Sequence, residues 1–577
     1  MSTRTFLSVA VTIFVTTLFY GVPKTLEAQA ASTSALSGMV SAQDETKLEG
    51  VLVTARLDGA AHSITVVSNE DGEYSFPRSH LEPGRYILQV RAAGYDLETL
   101  IHRQAAFNCT DCEVEIEGDR VTIVDLRLRK TADLAAQLTS LEWVMSAPGT
   151  PEQKDSLVRQ VVNCGFCHTL ERVMRTRYTA EQWVPVIKRM ATYHPDFTGS
   201  VRIQKWAGYF SSDDMWWDVS VNDLADYLAS INLSTSDTWT YPLKTLPRPK
   251  GDSTQMIVTV YDIPRQPSVI HDLDVDSKGN VWYGNTGHDY IGRLDPKTAM
   301  FTEYAAPNFS PPGASAFQFP GAPPVVGLMD VQVDPDDKVW GVIQGPKLAR
   351  FDPETLTWDS FDISPGQSPG AFLAPFRQFR TVWTHSGLRV NVATGKVDVF
   401  NWQKDAPAGP HTGYVLDRDS QDNGYLTDYG RMGYEGSYIV RIEAETGEVK
   451  FYPTPTSEAF PRRGYIDSAD RFWFSEFFGD KIGMFDTRTE EFKEFPVPHQ
   501  YSAPYYARPD RNGDIWSSSN GSDRLFRLNP DTGEILEYLM PVYYDARKVV
   551  TDPSADRITV WLPNKNTSQL IRVEILE

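Results

Sequence analysis

Apolar and polar positions alternate with a period of two along most of the chain. They switch to helical spacing in one central stretch. Val51-Leu52-Val53-Thr54-Ala55-Arg56-Leu57 and Ser63 to Ser68 are short runs rich in β-branched residues. Asn69-Glu70-Asp71-Gly72 and Pro83-Gly84 are turn signals, and the alternating Arg85-Tyr86-Ile87-Leu88-Gln89-Val90 follows the second. The pattern predicts an all-β unit over residues 35–130. From Thr131 to Ser234 the period becomes helical. Leu134, Leu138 and Leu141 fall on one face at i, i+4, i+7. Thr179-Ala180-Glu181-Gln182 reads as a capped start for a helix carrying Trp183, Val184, Ile187 and Met190, with Pro185 bending its first turns. A last helix runs near Val221 to Ile231, with Leu224, Tyr227 and Leu228 as its apolar face. Residues 235–255 form a linker that Pro242, Pro247 and Pro249 keep extended.

Beyond the linker the pattern repeats to the end of the chain. Asp276-Ser277-Lys278-Gly279-Asn280-Val281-Trp282 matches Asp334 to Trp340 and Asp510 to Trp516. Strands of the type Ile291-Gly292-Arg293-Leu294-Asp295 recur, ending near Asp352, Asn391, Glu443, Asp486, Asn529 and Val573. A following strand recurs near Tyr261, Tyr304, Phe361, Phe400, Tyr452, Phe495 and Tyr538. Both series count seven. Four short strands per unit at this interval predict a seven-bladed β-propeller over residues 256–577. The first of these outer strands precedes every strand of the Ile291 to Asp295 type, and the last strand of that type has no outer strand after it, so Met256 to Tyr261 should complete the last blade and close the ring.

Composition fits this picture. The chain of 577 residues is too long for one core, and 39 Gly, 38 Pro and 12% aromatic residues suit turn-rich β structure. The overall class is multidomain and mainly β: a β-sandwich, a small all-α domain and a propeller. A formal charge of −21 argues against nucleic acid and anionic membrane as partners. Arg4, the apolar run Phe6 to Tyr20 and Ala28-Gln29-Ala30 make residues 1–30 a secretory signal peptide. No later run is apolar for long enough to span a bilayer, so a soluble, periplasmic mature protein is expected.

The chemistry centres on Cys164-Gly165-Phe166-Cys167-His168. Two thiols three positions apart and an adjacent imidazole are the attachment pattern of haem c. The thiols bond the two vinyl groups, and His168 supplies the proximal nitrogen. A zinc site would need a second ligand pair, and no Cys follows His168. A redox CxxC would sit in a βαβ context, which is missing here. Cys109 and Cys112 lie close enough for a local disulfide in an oxidising compartment. Met174 is too near His168 in sequence to reach the other haem face. Met190 is the expected sixth iron ligand, with Met215 and His194 behind it; the competing reading of Met190 is core packing.

Three family resemblances sharpen these expectations. Gly50-Val51, Asn69 to Phe76, Pro83 to Tyr86 and Ala93-Gly94-Tyr95 resemble the carboxypeptidase regulatory-like domain, which implies an accessory β-sandwich. The Cys-x-x-Cys-His helix, connecting helix and closing helix over 131–234 resemble a monohaem class I cytochrome c. Trp473-Phe474-Ser475-Glu476 and the Ile-Gly-Arg-Leu strands resemble the streptogramin (virginiamycin B) lyase propellers. That family's activity implies a metal, a Glu-Pro-His motif and a second Pro-His on the neighbouring blade. Here Gly409-Pro410-His411 has Gly for Glu, and Pro461-Arg462-Arg463 replaces the second His. The tryptophan-docking motifs of pyrroloquinoline-quinone enzymes are missing.

Inner-strand starts carry His271, Met329, Arg377, His411, Arg462 with Arg463, Tyr505 with Tyr506, and Arg547. This basic, aromatic lining makes His271, His411, Arg463 and Tyr506 the candidate channel site, suited to an anionic or aromatic ligand. The alternative is that loop carbonyls and buried waters satisfy them. The sequence therefore favours an exported electron-transfer protein with one covalent haem c, its redox partner or small-molecule substrate unnamed. Next come a propeller lyase acting on a cyclic lactone and a binding or redox-sensing module. The helical domain is expected beside one channel mouth, with the haem toward the candidate cluster.

Overall fold

The computed structural model describes residues 34–102, 105–108, 112–158, 168–190, 210–212, 215–216, 219–266, 268–285, 290–307, 328–343, 347–362, 372–376, 381–409, 411–430, 436–565 and 567–576. The expected signal peptide, Cys109, Cys164, Cys167, His194 and Arg377 lie outside them.

The N-terminal unit is two sheets over one core. The first has the order Glu73–Pro77, Ser34–Ala42, Thr122–Lys130, Tyr95–His102, Ala105–Asn108. The second contains His62–Val67, Leu52–Leu57, Gly84–Arg91 and Glu113–Ile116. Alternate residues of each strand point inward, so Leu36, Val53, Tyr74, Phe76, Leu88 and Leu126 fill the space between the sheets. The hydroxyl of Tyr74 would be an unpaired group there; it donates to the Val124 carbonyl at 2.6 Å. The Asn69 side chain accepts from the amides of Asp71 and Glu73, which fixes the turn read from the sequence. Cys112 is disulfide-bonded.

The helical stretch differs from its periodicity. Leu134, Leu138 and Leu141 do not share a helix. A 3-10 turn, Leu134–Gln137, ends at Leu138 in extended backbone, and a new helix, Ser140–Ser146, begins. The reason is local: Thr139 and Glu142 make a reciprocal capping box that offers the backbone a fresh start. The other two helices agree with the reading. Ala180–Met190 begins at the Thr179–Gln182 pair with Pro185 inside it, and Val221–Ile231 is capped by Ser220. No helix among the described residues is long and apolar enough to cross a membrane.

The rest of the chain is propeller-like. Seven antiparallel sheets follow one another: Leu273 to Ala305, Leu328 to Asp362, Thr381 to Val399, Gly413 to Pro453, Pro461 to Pro496, Pro504 to Leu539, and Val550 to Ile575. The third blade has three strands, its innermost one reduced to the bridge between Leu373 and Thr384. Each pair of neighbouring sheets shares its own apolar core, the last sheet with the first included, so the ring is closed. A large ring in the second strand anchors each: Trp282, Trp340, Trp383, Tyr425, Trp473, Trp516 and Trp561, all at most 1% exposed. Burying an indole N–H without a partner is costly. The Asp six residues earlier solves this in four blades, accepting from Trp282, Trp340, Trp473 and Trp516 at 2.8–2.9 Å. That is why the sequence repeats Asp and Trp at this spacing.

Closure follows expectation: Met256–Asp262 pairs with Gln569–Ile575 in the last blade. The sheet does not end at its other edge. Ile257 to Tyr261 pair with His62 to Val66 of the sandwich, giving one continuous eight-stranded sheet. An exposed edge strand invites unwanted pairing, and here a second domain covers it. The linker is equally fixed. The Leu246 amide donates to Glu142, Arg524 donates to the Pro247 carbonyl, and Arg248 binds Glu45 and the Glu49 carbonyl. Gly50, at φ +75°, allows this approach, since a Cβ there would lie 2.1 Å from the Pro249 carbonyl oxygen.

Candidate functional site

Inner strands of different blades converge on Asp272. Arg463 donates to both of its carboxylate oxygens at 2.6 and 2.8 Å, and His271 Nδ1 meets one at 2.7 Å. Lys548 lies 3.7 Å away and also reaches Asp330 at 3.4 Å. All five residues are essentially buried. Burial opposes the Asp272 charge, but Arg463, Lys548 and His271 hold its carboxyl well below the ordinary range. Asp330 goes the other way. Burial first, then the neighbouring Asp272 charge, lifts it to about 7 against the pull of Lys548. Tyr506 lies under the Arg463 guanidinium at 5.0 Å, and Phe372 at 4.7 Å.

Three of the four candidate residues, His271, Arg463 and Tyr506, therefore come together. His411 does not join them. Its Nδ1 meets Asp428 at 2.6 Å, its Nε2 meets the Pro407 carbonyl at 2.7 Å, and its ring packs with Tyr438 and Phe451. The separation arises because His411 precedes the strand Gly413–Arg418, outside its first paired residue. Met329 packs with Phe372 and Val415.

A second layer continues from this cluster. Arg547 is paired with Asp545 and donates to the Tyr505 hydroxyl at 2.9 Å, and Tyr505 bonds Tyr414. Arg462 stands over Phe460, Phe477, Tyr414, Tyr429 and Tyr505, at 4.5–5.4 Å from the ring centres. These rings meet the helical stretch. Phe460, Phe477, Ala503 and Tyr505 belong to the same apolar core as Trp143, Leu157, Leu170 and Tyr227, and the Leu141 amide donates to the Gly521 carbonyl. The helices thus sit on loops at the inner-strand starts, the channel end that carries the candidate residues.

Sequence reasoning missed Asp272, Asp330, Lys548 and Tyr414. A signal existed for the two carboxylates: Asp272 and Asp330 each stand four residues before the turn aspartates Asp276 and Asp334. In the sequence, Glu476 stands out only as the last residue of Trp473-Phe474-Ser475-Glu476. It is fully buried beside Glu494. Burial, helped by the Glu494 charge, raises it to about 8. Because the folded value exceeds the unfolded one, Glu476 weakens the fold as pH rises from about 4.5 toward 8. Glu476→Gln should therefore be stabilising at pH 8, on the order of 2–4 kcal/mol, and neutral near pH 4. Denaturant titrations at the two pH values measure this, and an equal difference at both would refute it.

At the expected haem site, His168 is half-buried and its Nδ1 donates to the Thr169 carbonyl at 2.9 Å. Met190 is half-buried at the end of its helix. Met215 lies in the short strand Met215–Trp216.

No family model matches the chain, and no curated protein matches it. Solved structures do. A streptogramin B lyase structure aligns over 56% of this chain and all of its own, at 18% identity and a TM-score of 0.46. Virginiamycin B lyase from Staphylococcus aureus aligns over 56% of this chain and 99% of its own, at 17% identity and a TM-score of 0.45. The RRP9 WD40 repeats align over 55% of this chain and 97% of theirs, at 9% identity and a TM-score of 0.41.

Proposed function

We propose that the protein is an exported c-type cytochrome that transfers electrons, its propeller serving as a platform for a substrate or partner. In this reading residues 35–130 are a carboxypeptidase regulatory-like sandwich, 131–234 a cytochrome c domain and 256–577 a lyase-like propeller. The single observation that supports it most is the state of His168. Donation from Nδ1 to a backbone carbonyl places the ring proton there and leaves the Nε2 lone pair available to a metal, the usual arrangement of a ligating histidine. Cys164 and Cys167 would hold the haem, and His168 and Met190 would be its axial ligands. When bound, the group supplies one-electron chemistry. The chain's own part is to bring the helices against the channel mouth through Phe460, Phe477 and Tyr505. The docked linker supports a helical domain held against the ring.

The lyase alternative is less well supported. His411 is committed to Asp428 and the Pro407 carbonyl, and Arg462 stands where that family pattern has its second His. Expression with a haem-maturation system tests the main reading. Haem stain should persist on a denaturing gel, and a reduced-minus-oxidised spectrum should show a c-type band. Met190→Ala should abolish any sulfur-to-iron charge-transfer band; an unchanged band would transfer the role to Met215 or another ligand. A matured protein without covalent haem ends the proposal.

A further inference from the structure

We infer that Arg462 and the five rings around it bind a carboxylate carried on a flat, apolar body. This deepens the platform reading and rests on it. Neighbouring buried arginines have matched anions: Arg463 holds Asp272, and Arg547 holds Asp545. Arg462, only 8% exposed, has no carboxylate partner among the described residues, and its buried Nε has no acceptor. A buried cation is retained at a cost unless an anion or electron-rich faces compensate it. Here the faces of Phe460, Phe477, Tyr414, Tyr429 and Tyr505 surround the charge. Arg547 also reaches Tyr505, but Asp545 already matches its charge, so among the described residues Arg462 is the cation at these rings that has no paired anion.

That combination selects its ligand. The fork matches the two oxygens of a carboxylate, and the ring walls suit a planar apolar body better than a hydrated phosphate. The recess lies where the helices meet the channel mouth. A carboxylate there has two sources of the same chemistry: a free aromatic acid, or a propionate of the haem carried by those helices.

The test uses the full chain, both matured and as the haem-free Cys164→Ser/Cys167→Ser variant, with 4-hydroxybenzoate, 4-hydroxybenzamide and inorganic phosphate as probes in calorimetric titrations. For a free acid, both forms should bind 4-hydroxybenzoate at least about tenfold more tightly than the amide or phosphate. Arg462→Gln should remove that preference. For a haem propionate, only the haem-free form should bind the acid, and Arg462→Gln should shift the haem midpoint potential of the matured protein. If Arg462→Gln does not fold, Arg462→Lys, which keeps the charge and loses the fork, should weaken acid binding several-fold. Equal binding of acid and amide with an unchanged midpoint potential would overturn the site, as would full acid binding by Arg462→Gln. Failure to incorporate haem would end the cytochrome reading and leave the free-acid arm standing.

Discussion

Replacing Arg463 with alanine is expected to lower stability by about 3–5 kcal/mol, the range for breaking a fully buried ion pair from one side. Arg463 is 1% exposed and bonds both oxygens of Asp272, which is wholly buried. It also donates to the Arg547 carbonyl at 3.1 Å, so one guanidinium joins three blades. Alanine would leave Asp272 with His271 at 2.7 Å and Lys548 at 3.7 Å, the latter shared with Asp330. The remaining cations cannot replace a bidentate fork, and a cavity would open beside Phe372 and Tyr506. Denaturant unfolding followed by tryptophan emission measures the loss, because seven blade cores contain buried aromatic anchors. A change under 1 kcal/mol would show that Asp272 is held by other groups.

Thr65→Pro is expected to separate the sandwich from the ring, costing about 3 kcal/mol or more. Thr65 is buried in the continuous sheet, opposite Val258 on one side and Thr54 on the other. Its hydroxyl bonds that of Thr54 at 2.8 Å. Proline removes its amide from the ladder, and in a central strand no water can replace the lost bond. Calorimetry should show one transition for the native chain and an earlier, separate sandwich transition for the variant. Protease should then cut within residues 34–130 while the ring remains intact. A single transition at the native temperature would mean that the seam adds nothing to the coupling of the two units.

The architecture was largely legible because its determinants are local. The Thr179–Gln182 pair, the Asn69 turn and the Asp-to-Trp spacing each act within six residues, and each appears where its pattern predicts. Ring closure was also readable, since an unmatched first outer strand requires a partner at the other end of the chain. The single helix expected through Leu134, Leu138 and Leu141 failed because two local signals competed. A capping box at Thr139 outweighed a three-residue apolar stripe.

The site was legible as residue types but not as partnerships. Inner-strand starts named His271, Arg463 and Tyr506, and the ring brings them together. Nothing in the sequence around Arg462 and Arg463 says that one finds a carboxylate and its neighbour finds only aromatic faces. The strand register is irregular between Pro461 and Gly464, and the partners of the two arginines come from different blades.

The number of repeats, the closing strand, the cap at Thr179 and the Cys-x-x-Cys-His motif could be read along the chain alone. All rest on short-range spacing that any copy of the pattern satisfies. Tertiary structure decided three things. The sandwich extends the last blade, the helices rest on the inner-strand loops, and Asp272 gathers the charges of the channel. Each depends on groups hundreds of residues apart, where the choice of partner is set by how the sheets twist and stack rather than by any pattern along the chain.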